Sequence, residues 1–140
     1  MSSATALYTP QVLALATSLA RYPLGDGLPL SGSARSPTCG STIELGLHCD
    51  TDGQIDRIGL RAHACAIGQA AAAIFVEAAK GKDDSKIRQA YDALEAWLAG
   101  GDLPDWPGID AIAAARDFPA RHGAILLAWR AALVALEGAR

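Results

Sequence analysis

The sequence predicts an α+β fold, in which a small antiparallel sheet of about three strands packs against four to five helices. Residues 42–49 alternate strictly between apolar and polar side chains, which is typical of a half-buried strand. Apolar residues recur at helical spacing before and after that region. The composition is 51% hydrophobic and 19% charged, which favours a folded helical chain over a disordered one. Since 140 residues is the length of one ordinary domain, we expect a single domain over residues 1–140.

A helix and a loop are predicted first along the chain. Thr9 and Pro10 suit the N-cap and first turn of an amphipathic helix, which we expect to run to Pro23. Residues 24–37 are rich in glycine, proline and serine, and they predict a loop with one short edge strand near residues 28–34.

A β-hairpin is predicted next. Residues 42–49 form its first strand, and Cys49 lies on the apolar face of that strand. The turn residues 50–53 lead into a partner strand over residues 55–62. The apolar alternation shifts by one residue after Ile55, which indicates a β-bulge.

Helices are predicted for the remainder of the chain. Glycines or prolines separate them, as expected at helix ends. The predicted helices cover residues 65–79, 84–98 and 109–116, and a last one opened by Pro119.

Charge and hydropathy exclude two classes of partner. The formal net charge is −3 and basic residues are interleaved with acidic ones, so no basic surface is expected to bind nucleic acid. The longest apolar run, residues 70–76, is too short to cross a bilayer. The N-terminus lacks the basic start and apolar stretch of a signal peptide. We therefore expect a cytoplasmic protein with no membrane partner.

Three cysteines are the residues most suited to chemistry. An odd number of thiols in a reducing compartment favours metal or thiol chemistry over paired disulfides. Cys39 lies in a turn before a strand, and Cys65 lies where a strand ends and a helix begins, which favours its thiolate. The hairpin is expected to bring Cys39 and Cys65 to one end of the sheet. Cys49 has the parity of a core residue, so we exclude it from the site.

Other chemical signals are weaker. Because the two cysteines lie far apart in sequence, a structural role for both thiols is as well supported as metal binding. His63 and His122 are secondary candidates for metal ligands, since a single histidine is more often a surface residue. Residues 50–53 resemble a calcium loop but lack its later glycine and glutamate, so they predict a turn. Common hydrolase, nucleotide-binding and zinc-protease motifs are absent.

Five motifs in order along the chain resemble a known family, the U-type iron–sulfur cluster assembly scaffolds of the NifU N-terminal, IscU and SufU group. The resemblance runs from about Leu7 to the C-terminus, and the long segment after Cys65 is closer to the SufU branch. The motifs are residues 37–40, 42–49, 52–53, 64–67, and 118–121 with 127–129.

The resemblance implies a site at which three cysteines and one aspartate hold zinc or a nascent [2Fe-2S] cluster. In that family one cysteine accepts sulfur from a cysteine desulfurase. Cys39 matches the first family cysteine and Cys65 the second. Ser41 stands where the family has its aspartate, and Ala124 stands where it has its third cysteine. Two of the four usual ligand positions are therefore substituted.

The substitutions predict a weak site, because two thiolates are too few for a cluster or a structural zinc ion. His63 and His122 would complete a Cys₂His₂ set that suits zinc. Alternatively Ser41, a partner protein or a second copy of the chain would complete a labile site. The resemblance also gives Arg121 a part in shaping the pocket.

Three functions follow from these residues. The first is a degenerate scaffold or carrier for iron–sulfur assembly, which binds iron or zinc and sulfur through Cys39 and Cys65. The second is a non-scaffold paralogue that binds a cysteine desulfurase or another assembly factor in a regulatory role. The protein is not expected to be an enzyme, but a third alternative is a sulfur-acceptor or sulfurtransferase activity at Cys39.

Overall fold

The elements follow one another as a helix, three strands and then further helices, which confirms the predicted α+β class. The structure, a computed structural model, describes residues 7–37 and 39–139. The α-helices are α1 (Pro10–Ser18), α2 (Ala66–Ala79), α3 (Asp84–Leu98) and α4 (His122–Glu137). The strands are β1 (Leu30–Arg35), β2 (Thr42–Cys49) and β3 (Ile55–His63). Short 3₁₀ helices cover Leu19–Arg21, Ile109–Asp117 and Pro119–Arg121.

The sheet has the order β1-β2-β3, and both pairs are antiparallel. Arg35 pairs with Thr42, and Thr42 pairs with His63. The end of β1, the start of β2 and the end of β3 therefore lie at one end of the sheet, which we call the cysteine end because Cys39 and Cys65 adjoin it.

The predicted hairpin and edge strand are present. β1 lies at the edge of the sheet and β2 at its centre. His48 pairs with Arg57 and Cys49 with Ile55, so Asp56 is the extra residue of a bulge at the predicted place.

Helix α4 lies against one face of the sheet and also contacts α2 and α3. It comes so close to β1 that a Cβ atom on Gly32 would lie 2.1 Å from the carbonyl oxygen of Ala131. Trp129, in the middle of α4, is fully buried and packs edge-on against the stacked rings of Phe75 and Trp106, at centroid distances of 5.2 and 5.3 Å. The sheet, α2 and α3 all pack against α4. These contacts hold the whole helix in place, including its N-terminus.

Three helix ends differ from the sequence prediction. α1 ends at Ser18, not near Pro23, and a 3₁₀ turn follows. This tighter turn leaves the carbonyl of Tyr22 free to accept a hydrogen bond from the backbone N–H of Leu60 in β3, at 2.9 Å. Residues 109–117 are a 3₁₀ helix with a kink at Ile112, and Pro119 opens a 3₁₀ turn before α4. At the end of α1, the hydrogen bond to β3 overrides local helix propensity.

None of the helices in the described ranges is long and apolar enough to cross a membrane.

Candidate functional site

A short closed loop between β1 and β2 presents Cys39 to solvent. The backbone N–H of Ser36 donates to the carbonyl of Ser41 at 2.8 Å, and the N–H of Gly40 donates to the carbonyl of Ser36 at 2.8 Å. Gly40 has a φ of +73°, a conformation that glycine adopts without strain. These bonds hold Cys39 exposed at the turn. Thr38, which belongs to the motif read from the sequence, lies outside the described residues.

Two hydroxyls and a guanidinium stabilise the thiolate of Cys39. The Sγ atom lies 3.0 Å from the Oγ atom of Ser41. The pKa of Cys39 is lowered, first by hydrogen bonding from the Ser36 hydroxyl and next by that from the Ser41 hydroxyl. Partial burial opposes these effects, while the backbone of Ser41 and the charge of Arg121 add to them. Cys39 therefore has the environment of a reactive thiol.

Ser36 is a residue of this site that the sequence reasoning missed. Its side chain is fully buried, and apart from its interaction with Cys39 the hydroxyl has no hydrogen-bond partner in the described part of the chain. A sequence signal was present: Ser36 continues the alternation of Leu30, Gly32 and Ala34, which places it on the side of β1 that faces the core.

Cys65 lies at the N-cap of α2, where the sequence placed it. Its backbone is extended, with φ −64° and ψ 170°, and its carbonyl accepts the N–H of Gln69 at 2.9 Å. Its thiol makes no capping hydrogen bond, and no acidic residue lies in the first turn of α2. Cys65 is half-buried and faces the positive end of a fourteen-residue helix.

The start of α4 forms the third side of the site. A Cβ atom on Gly123 would lie 2.3 Å from Ser36 Oγ, so the first turn of α4 touches the Cys39 loop. A Cβ atom on Gly68, in the first turn of α2, would lie 3.2 Å from the Cβ atom of Ala124. Contacts thus connect the Cys39 loop, the start of α4 and the start of α2. Ala124, which stands where the resemblance implies a third cysteine, is buried.

Arg121 lies between this site and the N-terminal segment. One of its terminal nitrogens donates to the hydroxyl of Tyr8 at 3.4 Å, a long hydrogen bond. Its Nε atom is buried and has no partner among residues 7–37 and 39–139. The guanidinium thus retains unused donors while its charge acts on Cys39.

In the part of the chain that the structure describes, the two histidines do not lie in a cluster with the cysteines. His122 donates from Nε2 to the carbonyl oxygen of Arg116 at 2.7 Å, which leaves Nδ1 as the nitrogen that could bind a metal. His63 is exposed at the end of β3. Within the described ranges, no three side chains of histidine, cysteine, aspartate or glutamate lie together as a metal-binding group.

Cys49 differs from the other two thiols. It lies at the opposite end of β2 and packs, half-buried, against the hydrophobic core. Burial raises its pKa, and the nearby carboxylates of Asp56 and Asp50 raise it further. These contacts agree with its exclusion from the candidate site.

Two other features lie away from the cysteine end. A groove of about 820 Å³ runs between α3 and residues 102–107, and its lining contains none of the three cysteines. His48 and Asp56 form a close pair near the other end of the sheet, with 2.5 Å between Nδ1 and Oδ1.

Several solved structures have a fold similar to that of this chain. A nitrogen-fixing NifU-like protein (N-terminal) from Brucella abortus has a TM-score of 0.85 at 25% identity, over 94% of this chain and 92% of that one. A putative iron–sulfur cluster assembly scaffold protein for the SUF system from thermophilic Fervidobacterium islandicum AW-1 has a TM-score of 0.84 at 19% identity, over 96% and 99%. A hypothetical protein has a TM-score of 0.75 at 23% identity, over 90% and 96%.

The sequence matches no protein-family model, and it matches no curated protein. The structural neighbours nonetheless confirm the resemblance to the NifU N-terminal and SufU group that the five motifs predict.

Proposed function

We propose that this chain, which has the fold of the U-type iron–sulfur cluster assembly scaffolds, works in iron–sulfur assembly as a scaffold or carrier with a reduced ligand set. The observation that carries the proposal is the Cys39 thiol, which is exposed on a closed loop and stabilised as thiolate by two serine hydroxyls. The NifU-like and SufU neighbours support the choice of assembly system.

Cys39 and Cys65 would hold the cargo, which is iron, zinc or a nascent [2Fe-2S] cluster. Sulfur would arrive from the persulfide of a cysteine desulfurase. The Cys39 thiolate attacks the outer sulfur of that persulfide, a new S–S bond forms, and the donor cysteine leaves as a thiolate. Ser36, Ser41 and Arg121 favour this step because they stabilise negative charge on the Cys39 sulfur. In this role Cys39 is a sulfur acceptor within an assembly cycle.

The cargo would be held weakly. Two thiols fall short of the four ligands that zinc and iron–sulfur clusters usually take. His122 would offer Nδ1, because its Nε2–H donates to the carbonyl of Arg116, and Ser41 offers only a hydroxyl. A partner protein or a second copy of the chain would therefore have to supply the remaining ligands of a stable cluster.

Anaerobic reconstitution with iron and sulfide, followed by visible absorption, tests this proposal. We expect a charge-transfer chromophore of low occupancy that is lost in Cys39→Ser and in Cys65→Ser. Cys49→Ser is the matched control, because that thiol lies at the other end of β2, and it should retain the chromophore. Absence of any chromophore or bound zinc that depends on Cys39 or Cys65 would contradict the proposal.

A second candidate function is a regulatory paralogue that binds a cysteine desulfurase or another assembly factor without building clusters. The lack of a three-donor metal group in the described chain favours it. Calorimetric titration of the protein with a desulfurase tests this function. Binding without cluster formation would support the regulatory paralogue, and failure to bind would remove it. Operation in the cytoplasm stays a prediction.

A further inference from the structure

The cysteine end of the molecule collects groups that favour an anion. The backbone N–H groups at the start of α2 receive no side-chain cap, and no acidic residue lies in the first turn of α2 or of α4. The uncapped N-terminus of α2 carries partial positive charge, whereas the start of α4 continues from a 3₁₀ turn in which the N–H of His122 already donates to the carbonyl of Pro119. The two helix starts meet where Gly68 approaches Ala124.

Three side chains add hydrogen-bond donors at the same place. The hydroxyl of Ser36 is fully buried and interacts with the Cys39 sulfur, so it holds that sulfur towards a bound anion. Ser41 is 6% exposed, and its Oγ atom contacts the Cys39 sulfur at 3.0 Å. Arg121 keeps a buried Nε–H without a partner and makes one long bond, to Tyr8. A guanidinium that the protein leaves largely unpaired is free to bind an anion.

The residue types at two positions of the site also favour an anion. A serine and an alanine stand where the resemblance implies an aspartate and a third cysteine, so the site has lost two ionisable ligands that would repel an anion. Donors, a guanidinium and a thiol remain. Such a set suits an anionic substrate better than a cation.

We propose that the cysteine end binds a small oxyanion that carries a transferable sulfane sulfur, with thiosulfate as the simplest example, and that Cys39 takes the sulfur from it. The inference rests on the proposed function, since it names a further sulfur donor for the same acceptor. Arg121 and the α2 backbone would bind the sulfonate oxygens, with the outer sulfur directed at Cys39.

The reaction balances without an oxidant. The Cys39 thiolate attacks the outer sulfur of thiosulfate, a bond forms between the two sulfurs, and the S–S bond of thiosulfate breaks. Its electron pair leaves on sulfite, and Cys39 retains a persulfide anion. Cyanide regenerates the thiolate, because it attacks the outer sulfur of the persulfide and leaves as thiocyanate.

The test measures sulfite release, the mass of Cys39 peptides and thiocyanate formation, with thiosulfate as donor and cyanide as acceptor. We expect one sulfur atom on Cys39 and none on Cys49, and no turnover in Cys39→Ser. Arg121→Gln should lower kcat/KM about tenfold or more, mainly through KM, because it removes a charge-assisted bond to the anion. Arg121→Lys should recover part of that loss.

Two matched variants separate binding from folding. Tyr8→Phe removes the hydroxyl that contacts Arg121 but leaves the guanidinium charge, so it should keep most of the activity. Arg57→Gln removes an arginine at the far end of β3, where it contacts the carbonyl of Gly27, and it should act as wild type. Equal loss in Arg121→Gln and Arg57→Gln would overturn the role of Arg121.

A second sulfur donor, a cysteine desulfurase supplied with cysteine, shows whether a negative result counts against the anion inference alone or also against the proposed function. If Cys39 gains sulfur from the desulfurase but none from thiosulfate, the anion inference fails and the proposed function stands. If Cys39 gains sulfur from neither donor, both fail. An Arg121→Gln variant that loses both donors equally would show that Arg121 acts on Cys39 itself, which also contradicts a specific oxyanion site.

Discussion

Substitution Gly123→Ala connects the position of α4 to the chemistry of Cys39. The added Cβ atom would lie 2.3 Å from Ser36 Oγ and 3.2 Å from Ser36 Cβ. Ordinary contact between such atoms is more than about 3.4 Å, so the Ser36 hydroxyl has to rotate away. Because that hydroxyl is the main cause of the lowered pKa of Cys39, the pKa should rise in the variant.

The effect on stability should be small. A rotated or off-rotamer serine costs about 0.5–1.5 kcal/mol, while alanine favours the helix over glycine by about 0.5–1 kcal/mol. The two terms nearly offset one another, so the melting temperature should change by about 5 °C or less. The pKa of the Cys39 thiol should change more than the stability of the fold, because the thiolate loses a hydrogen bond.

The assay is alkylation of Cys39 by iodoacetamide as a function of pH, followed by peptide mass spectrometry. Below the pKa, Gly123→Ala should react about three- to tenfold more slowly than wild type, and its pH profile should shift to higher pH. Cys49 is an internal reference and should not change. Gly25→Ala is the control, because a Cβ atom there meets nothing within 4 Å. An unchanged Cys39 profile in Gly123→Ala would refute the role assigned to Ser36.

Three further predictions concern packing and ligands. Gly32→Ala places a Cβ atom 2.1 Å from the backbone oxygen of Ala131, so it should cost about 3 kcal/mol and lower the melting temperature by about 10 °C, measured by circular dichroism. The double variant Ser41→Asp with Ala124→Cys should bind zinc at least tenfold more tightly than wild type in a chelator competition, because it restores two ligands; equal affinity would contradict the explanation of weak binding. Cys49→Ala should cost about 1 kcal/mol in urea unfolding and leave Cys39 alkylation unchanged.

Local patterns predicted most of the fold. The alternation of residues 42–49, the bulge after Ile55 and the edge position of β1 are all present in the sheet. The end of α1 was wrong because the choice between continuing the helix and bonding Tyr22 to β3 depends on a residue far along the chain. Local propensity carries no information on that partner.

The site was predictable in part. The positions of Cys39 and Cys65 at one end of the sheet follow from an antiparallel hairpin, and the register places both segments there. The approach of Gly123 to Ser36 could not be read from the sequence, because it depends on where α4 lies on the sheet. That approach fixes the place of the Ser36 hydroxyl, which is the largest of several causes that lower the pKa of Cys39.

Metal and sulfur analysis of the purified protein, compared with Cys39→Ser, Cys65→Ser and Cys49→Ser, tests the central claim most directly. The account predicts substoichiometric iron or zinc, or a sulfane sulfur, that disappears in the first two variants and persists in the third. Identical metal and sulfur content in all four proteins would contradict it.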